Sequence, residues 1–165
     1  MIVYLVGMPG AGKSLVGKEL AGRLGVPFVD LDDEIERRHA ARVSEIFAEK
    51  GEAAFRAMEA AELVWASSQD PSVVSCGGGV VLEAANRITL RNTGITVFLD
   101  VPLEELRERV NPAADRPLIQ HDGDLDRLMA QREPLYREFA AHVVDGSRAP
   151  AVVADAIVEE LRWSA

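Results

Sequence analysis

Cysteine is nearly missing: Cys76 is the single one in 165 residues. The chain therefore forms no internal disulfide and offers no thiolate pair for zinc. That excludes a disulfide-stapled scaffold and suits a reducing compartment, so a cytoplasmic location is expected. Long apolar runs are lacking too. No stretch approaches the ~20 continuous apolar residues that span a bilayer, because charged residues recur throughout. The opening run Ile2 to Val6 is too short for a secretory signal and no positive region precedes it. Positive charge is in deficit, with 18 Lys and Arg against 27 Asp and Glu and a formal net charge of −9. The summed field repels nucleic acid and anionic membrane, and neither is an expected partner. An anionic ligand would need Lys and Arg gathered locally into a cleft. At this length one domain spanning residues 1–165 is expected, able to bury about 70% of the surface its unfolded chain exposes. No repeat, low-complexity segment or linker divides it.

What is present alternates. Ile2-Val3-Tyr4-Leu5-Val6 is a run closed by Gly7, the pattern of a strand buried on both faces, and it is expected at the centre of a sheet. Apolar residues recur at helical spacing from Ser14 to Leu24, with Gly25 as a stop. Further strands are expected at 28–30, 73–75, 95–99 and 142–144. Helices are expected from Asp32, from Ser44 to near Gly51, and over 53–67, 83–91, 103–109, 124–138 and 150–163. Residues 111–123 carry Asn-Pro, Arg-Pro and Asp-Gly and no apolar period, which reads as a functional loop. Strands alternating with helices imply an α/β fold, a five-stranded parallel sheet with helices on both faces and right-handed connections. Ligands of such sheets bind at the carboxyl ends of the strands.

Gly7-Met8-Pro9-Gly10-Ala11-Gly12-Lys13-Ser14 fits G-x-x-x-x-G-K-[ST] between a strand and a helix, a P-loop in its required context. The glycines let backbone N–H groups turn around a phosphate and the helix N-terminus adds a favourable dipole. Lys13 can reach the β- and γ-phosphates, and Ser14 can ligate magnesium. A dinucleotide fold is excluded because Pro9 stands where its second glycine is needed. No Asn-Lys-x-Asp element supports a GTPase.

A phosphate cradle does not name the acceptor. Asp30 and Asp32 end the second strand, and their spacing aims both carboxylates to one side, one for magnesium's water shell and one for an acceptor hydroxyl. Read alone, Asp32 or Asp33 equally suits a helix N-cap. Arg56 and Glu59, three apart on one helix, read alone as a surface ion pair, and residues 131–136 as a solvated helix end. Gly77-Gly78-Gly79 after a strand sacrifices entropy and packing, which favours close approach of a ligand to bare backbone.

Together these elements make a constellation. The cradle at 7–14, Asp30-Leu31-Asp32, Gly51-Glu52 with Phe55-Arg56 and Glu59, Ser75-Cys76-Gly77-Gly78-Gly79, Arg116-Pro117-Leu118, and Arg132 with Pro134-Leu135-Tyr136 follow in the order and spacing of one family. End to end the chain resembles shikimate kinase. The resemblance implies a nucleoside monophosphate kinase-like fold and transfer of the ATP γ-phosphate to the 3-hydroxyl of shikimate, with Mg²⁺ and as a monomer. It implies Lys13, Asp32 and Arg116 as catalytic residues. Gly10, Ala11, Gly12, Lys13, Ser14, Leu15, Arg116 and Arg148 would bind ATP. Asp32, Arg56, Gly77, Gly78, Gly79 and Arg132 would bind shikimate, with Arg56 and Arg132 as cationic forks for its carboxylate. Ser14 would hold magnesium, and Asp30 would do so through water. Residues 31–60 resemble the substrate-binding region and 111–123 the lid, although Asn111-Pro112-Ala113-Ala114-Asp115 departs from the family's Asn-x-x-Arg-Pro. Arg107 or Arg109, together with residues 146–150, resembles the adenine side. Cys76 is expected to be a small buried hydrophobe, and His39, His121 and His142 sit in no metal-ligand or triad spacing. The alternative enzyme reading is a kinase of gluconate or nucleoside monophosphates, which would share the cradle but not the combination of Asp32, Arg56, the glycine triplet and Arg132. An inactive nucleotide-binding module is disfavoured by the usable chemistry at Lys13, Ser14, Asp30, Asp32 and Arg116.

Overall fold

The computed structural model describes residues 1–110 and 116–163. Five parallel strands lie in the order β2-β3-β1-β4-β5. They are β1 (Ile2–Val6), β2 (Phe28–Asp30), β3 (Ser72–Ser75), β4 (Gly94–Asp100) and β5 (His142–Asp145). The all-apolar β1 is central and buried along its whole length, as its composition requires. The helices are α1 (Lys13–Leu24), α2 (Leu31–His39), α3 (Val43–Ala66), α4 (Ala84–Thr93), α5 (Leu103–Arg109), α6 (Asp124–Phe139) and α7 (Pro150–Trp163), with a 3-10 turn over Val80–Leu82.

Two differences from expectation have a definite physical reason, the other boundaries agreeing to within about two residues. The break near Gly51 is a kink inside α3 rather than a gap between two helices. Gly51 sits at φ 83° and ψ 170°, outside helical geometry, while both flanks continue. Helix α2 starts one residue earlier than expected because Asp30 caps it, accepting from the N–H groups of Asp32 and Asp33 at 3.1 and 3.4 Å. Gly25 ends α1 in the left-handed conformation (φ 66°), as a glycine stop does.

Right-handed connections place α1 and α7, which pack together, on one face and α3, α4 and α6 on the other. The strands end in register: Leu5 lies beside Ser75, and Ser75 beside Asp30. Helix α1 leaves β1 towards one face while α4, reached through the glycine triplet, leaves neighbouring β3 towards the other. A crevice therefore opens between them at the carboxyl edge. A satellite apolar cluster of Ile35, Ile46 and Phe55, separate from the main core, supports α2 and the first half of α3 beside that crevice.

Candidate active site

Two joined cavities occupy the carboxyl edge. The first, about 690 Å³, runs from the P-loop past Asp30 and Asp33 to Arg109, Gly146 and Arg148. The second, about 360 Å³, lies between α2, α3, the glycine triplet and α6. Pro9, Asp32, Gly77, Gly78 and Arg116 line both, so Asp32 and Arg116 stand at the junction. The charge demand is met locally. Lys13, Arg109, Arg116 and Arg148 face the first cavity, and Arg56, Arg116 and Arg132 face the second.

The cradle is formed as its sequence dictates. Gly10 and Gly12 adopt φ of 84° and 87°, a conformation open to glycine without strain. Gly10, Ala11, Gly12, Ser14 and Leu15 all border the first cavity. The Lys13 ammonium donates to the carbonyls of Gly7 at 2.8 Å and Met8 at 2.9 Å. Withdrawal from solvent lowers its pKa to about 8 against the partial support of Asp32. The Ser14 hydroxyl donates to Asp30, which joins the two oxygens expected at magnesium. A hydroxyl and a carboxylate at the mouth of a phosphate cradle fit a hard cation that takes its remaining ligands from phosphate and water. Among the described residues no cluster of three or more His, Cys, Asp or Glu side chains offers an all-protein site.

Asp30 and Asp32 both reach the first cavity, but not by strand alternation. Asp30 ends β2 and Asp32 lies in the first turn of α2. The capping alternative is corrected accordingly, since the cap is Asp30 rather than Asp32 or Asp33. That leaves Asp32 free of structural duty, and its buried Oδ1 accepts no hydrogen bond. Burial, reinforced by the neighbouring charges of Asp30 and Glu59 and opposed by Lys13, raises the Asp32 pKa to about 7.

Arg56 and Glu59 are not a surface pair. Glu59 is wholly buried and Arg56 nearly so, 2.9 Å apart, with Glu52 a second partner of Arg56 at 3.3 Å. One oxygen of Glu59 and the Nε of Arg56 remain without partners. Burial drives the Glu59 carboxyl upward while Arg56 holds it down. Residues 131–136 are likewise no solvated end, because Arg132 is 2% exposed and Tyr136 is fully buried. Burial and the nearby charge of Arg56 lower the Arg132 pKa, with Tyr136 acting in opposition.

The glycine triplet has a definite steric reason. A Cβ at Gly77 would lie 2.5 Å from Glu59, one at Gly78 3.0 Å from Arg132, and one at Gly79 2.3 Å from Arg56. The space that bare backbone leaves is thus taken by the site's own charged side chains, while the backbone itself borders the second cavity.

The two arginines considered for the adenine side lie in different places. Arg109 borders the first cavity and bridges the Gly10 carbonyl at 3.4 Å to those of Gly146 and Ser147 at 3.2 Å, whereas Arg107 pairs with Asp126 on the surface. Cys76 is a buried thiol that burial pushes up, behaving as the small hydrophobe expected. Residues 111–115, the unusual stretch of the expected lid, lie outside the described residues. Arg116, which follows it, feels desolvation and the charge of Asp32. Sequence reasoning assigned no role to Glu59 or Tyr136, and none to the apolar wall of the second cavity formed by Val43, Phe47, Phe55, Leu118 and Ile119.

The family model described as shikimate kinase matches residues 9–162. A shikimate kinase of Aromatoleum aromaticum is 46% identical over 151 residues, covering 90% of this chain and 86% of that protein. One of Halorhodospira halophila is 45% identical over 165 residues, covering 97% and 93%. The solved shikimate kinase of Acinetobacter baumannii, in complex with shikimate, superposes with a TM-score of 0.95 at 36% identity over 99% of this chain and 93% of that one. With a match along nearly its whole length in sequence and in fold, the chain belongs to the shikimate kinase family.

Proposed function

We propose that the chain transfers the γ-phosphoryl group of ATP to the 3-hydroxyl of shikimate at the junction of its two cavities, giving shikimate 3-phosphate and ADP. The single observation carrying this assignment of roles is Asp32, a carboxylate with no structural partner, between a phosphate cradle and a pocket flanked by two buried guanidiniums. The first cavity takes ATP, with its phosphates on the backbone N–H groups of residues 10–15 and Lys13, and its base towards Arg109 and Arg148. The second takes shikimate, with its carboxylate against Arg56 and Arg132 and its ring on the apolar wall. Ser14 and, through water, Asp30 would hold Mg²⁺, which supplies charge neutralisation between the phosphates when bound.

The acceptor oxygen attacks the γ-phosphorus, its proton passes to Asp32, and the bond to the β-bridging oxygen breaks to release ADP. Lys13 and Arg116 stabilise charge on the transferring group, and catalysis is mainly positioning and electrostatics. The raised Asp32 pKa suits a proton acceptor working near neutrality. Such a reaction belongs where ATP is supplied, which accords with a cytoplasmic site of action, and one chain's residues line both cavities, as a monomeric enzyme requires.

The test is ADP release from ATP and Mg²⁺ with shikimate, gluconate and AMP offered separately. Activity with shikimate alone is expected, and turnover with gluconate or AMP in its place would overturn the assignment. A second expectation concerns Lys13. Its pKa of about 8 must rise beside a polyanion, so ATP binding takes up a proton. Lys13's contribution to affinity is full below pH 8 and fades as pH rises through the bound-state value. Calorimetry at about pH 8.5 in two buffers of different ionisation heat should read uptake of up to about one proton per ATP. Lys13→Met should abolish the uptake, and its persistence in that variant would contradict the reading.

A further inference from the structure

Tyr136 is fully buried on α6 and lines neither cavity, yet its hydroxyl reaches the backbone of the acceptor pocket. It donates to the carbonyl of Gly78, the residue against which the Arg132 guanidinium lies, so that a Cβ there would stand 3.0 Å from Nη1. Arg132 is one turn back on the same helix and interacts electrostatically with the phenol. A carbonyl only accepts, so the hydroxyl proton points to Gly78 and the oxygen's lone pairs are left facing the guanidinium, which only donates.

The Gly78–Gly79 peptide is trans, so the carbonyl of Gly78 and the N–H of Gly79 point opposite ways. Drawing the carbonyl into the core towards Tyr136 turns the Gly79 N–H outward, to the side of the second cavity that Gly79 and Arg56 line. Among the described residues that N–H donates to no protein acceptor. The phenol ring is held by Phe98 of β4, with centroids 5.1 Å apart and planes 28° apart.

The chemistry of a phenol matters here. Arg132 is buried near the like charge of Arg56 and its Nε has no partner. A carboxylate in Tyr136's place would neutralise the guanidinium and compete with an anionic ligand. A neutral hydroxyl beside Arg132 leaves its charge available.

We propose that Tyr136 is a positioning residue whose hydroxyl sets the Arg132 guanidinium and the Gly79 N–H as a coupled pair of donors for the acceptor's carboxylate. This rests on the acceptor reading above.

Steady-state kinetics of Tyr136→Phe should show a shikimate KM raised about tenfold, as for loss of one buried hydrogen bond, with kcat and the KM for ATP within about twofold of wild type. Val153→Ala, a core truncation in α7 on the opposite face, should lower the melting temperature without moving the shikimate KM. An unchanged shikimate KM in Tyr136→Phe, or an equal rise in Val153→Ala, overturns the proposal. Wild-type protein that fails to phosphorylate shikimate overturns the acceptor reading itself, and this inference with it. Fluorotyrosine labelling gives a second readout on the intact chain, because Tyr4 and Tyr136 are the only tyrosines. Shikimate without nucleotide should shift the fluorine signal of Tyr136 and leave that of Tyr4, assigned with Tyr4→Phe, in place. A stationary Tyr136 signal at saturating shikimate would also overturn it.

Discussion

Asp32→Asn should lower kcat by about 10²–10⁴-fold, the range for losing a positioned general base, while making the protein more stable above neutral pH. Both effects have one origin. Folding holds the Asp32 pKa near 7 through burial and the charges of Asp30 and Glu59, whereas an unfolded aspartate titrates near ~3.9. Between those values the folded state keeps a proton that the unfolded state has released, so stability falls as pH rises through this window and levels off above it. The difference between about 7 and ~3.9 corresponds to roughly 4 kcal/mol at full effect. Asparagine carries no such penalty. Thermal melts of the ligand-free protein should show the variant above wild type near pH 8 and level with it near pH 4. In wild type, kcat/KM for the acceptor at subsaturating ATP, where that ratio reports the free enzyme, should have an acidic limb near pH 7. A variant with near-normal kcat, or one no more stable at high pH, would remove Asp32 from the role of proton acceptor.

The fold was legible because its signals are local. A β-branched run, a Gly-Lys-Ser turn and a helical period each act within a few residues, and β1, α1, α5 and α7 fall where those patterns place them. Even the central position of β1 followed from its lack of any polar face. Where period-two reasoning was carried past the end of a strand it misled. Asp32 was read as a strand residue facing Asp30, but Asp30 had already capped a helix. The two carboxylates meet the cavity for different reasons.

The cradle was legible for the same cause, as its work is done by backbone. The buried charges were not, because an i,i+3 Arg–Glu pair has one sequence whether it faces water or core. A signal nevertheless existed. In α3 the residues Phe55, Glu59, Glu62, Leu63 and Ala66 recur on one helical stripe and all are buried. In α6 Leu125, Leu128, Arg132 and Tyr136 do the same. Of the charges on these stripes, Glu59 and Arg132 border the second cavity, where the glycine triplet leaves them space, whereas Glu62 pairs with Arg38 away from it.

That geometry also decides which guanidinium to remove. Arg56→Ala strands Glu59 in the core without its ion-pair partner, a loss of roughly 3–5 kcal/mol in stability that would obscure any effect on binding. Arg132 makes no ion pair with Glu59 or with any other carboxylate among the described residues, and it repels Arg56. Its loss should leave the fold intact and fall on the anionic acceptor. Arg132→Ala is therefore expected to raise the shikimate KM and to lower kcat/KM by about 2–5 kcal/mol, the range for truncating one partner of a buried charge pair. The KM for ATP should stay within about twofold, because Arg132 lies outside the first cavity. Arg132→Lys should recover only part of the loss, since an ammonium keeps the charge but not the planar fork that meets a carboxylate with two parallel bonds. Equal recovery by lysine would mean that charge alone binds the acceptor, and an unchanged shikimate KM in the alanine variant would place the acceptor's carboxylate elsewhere.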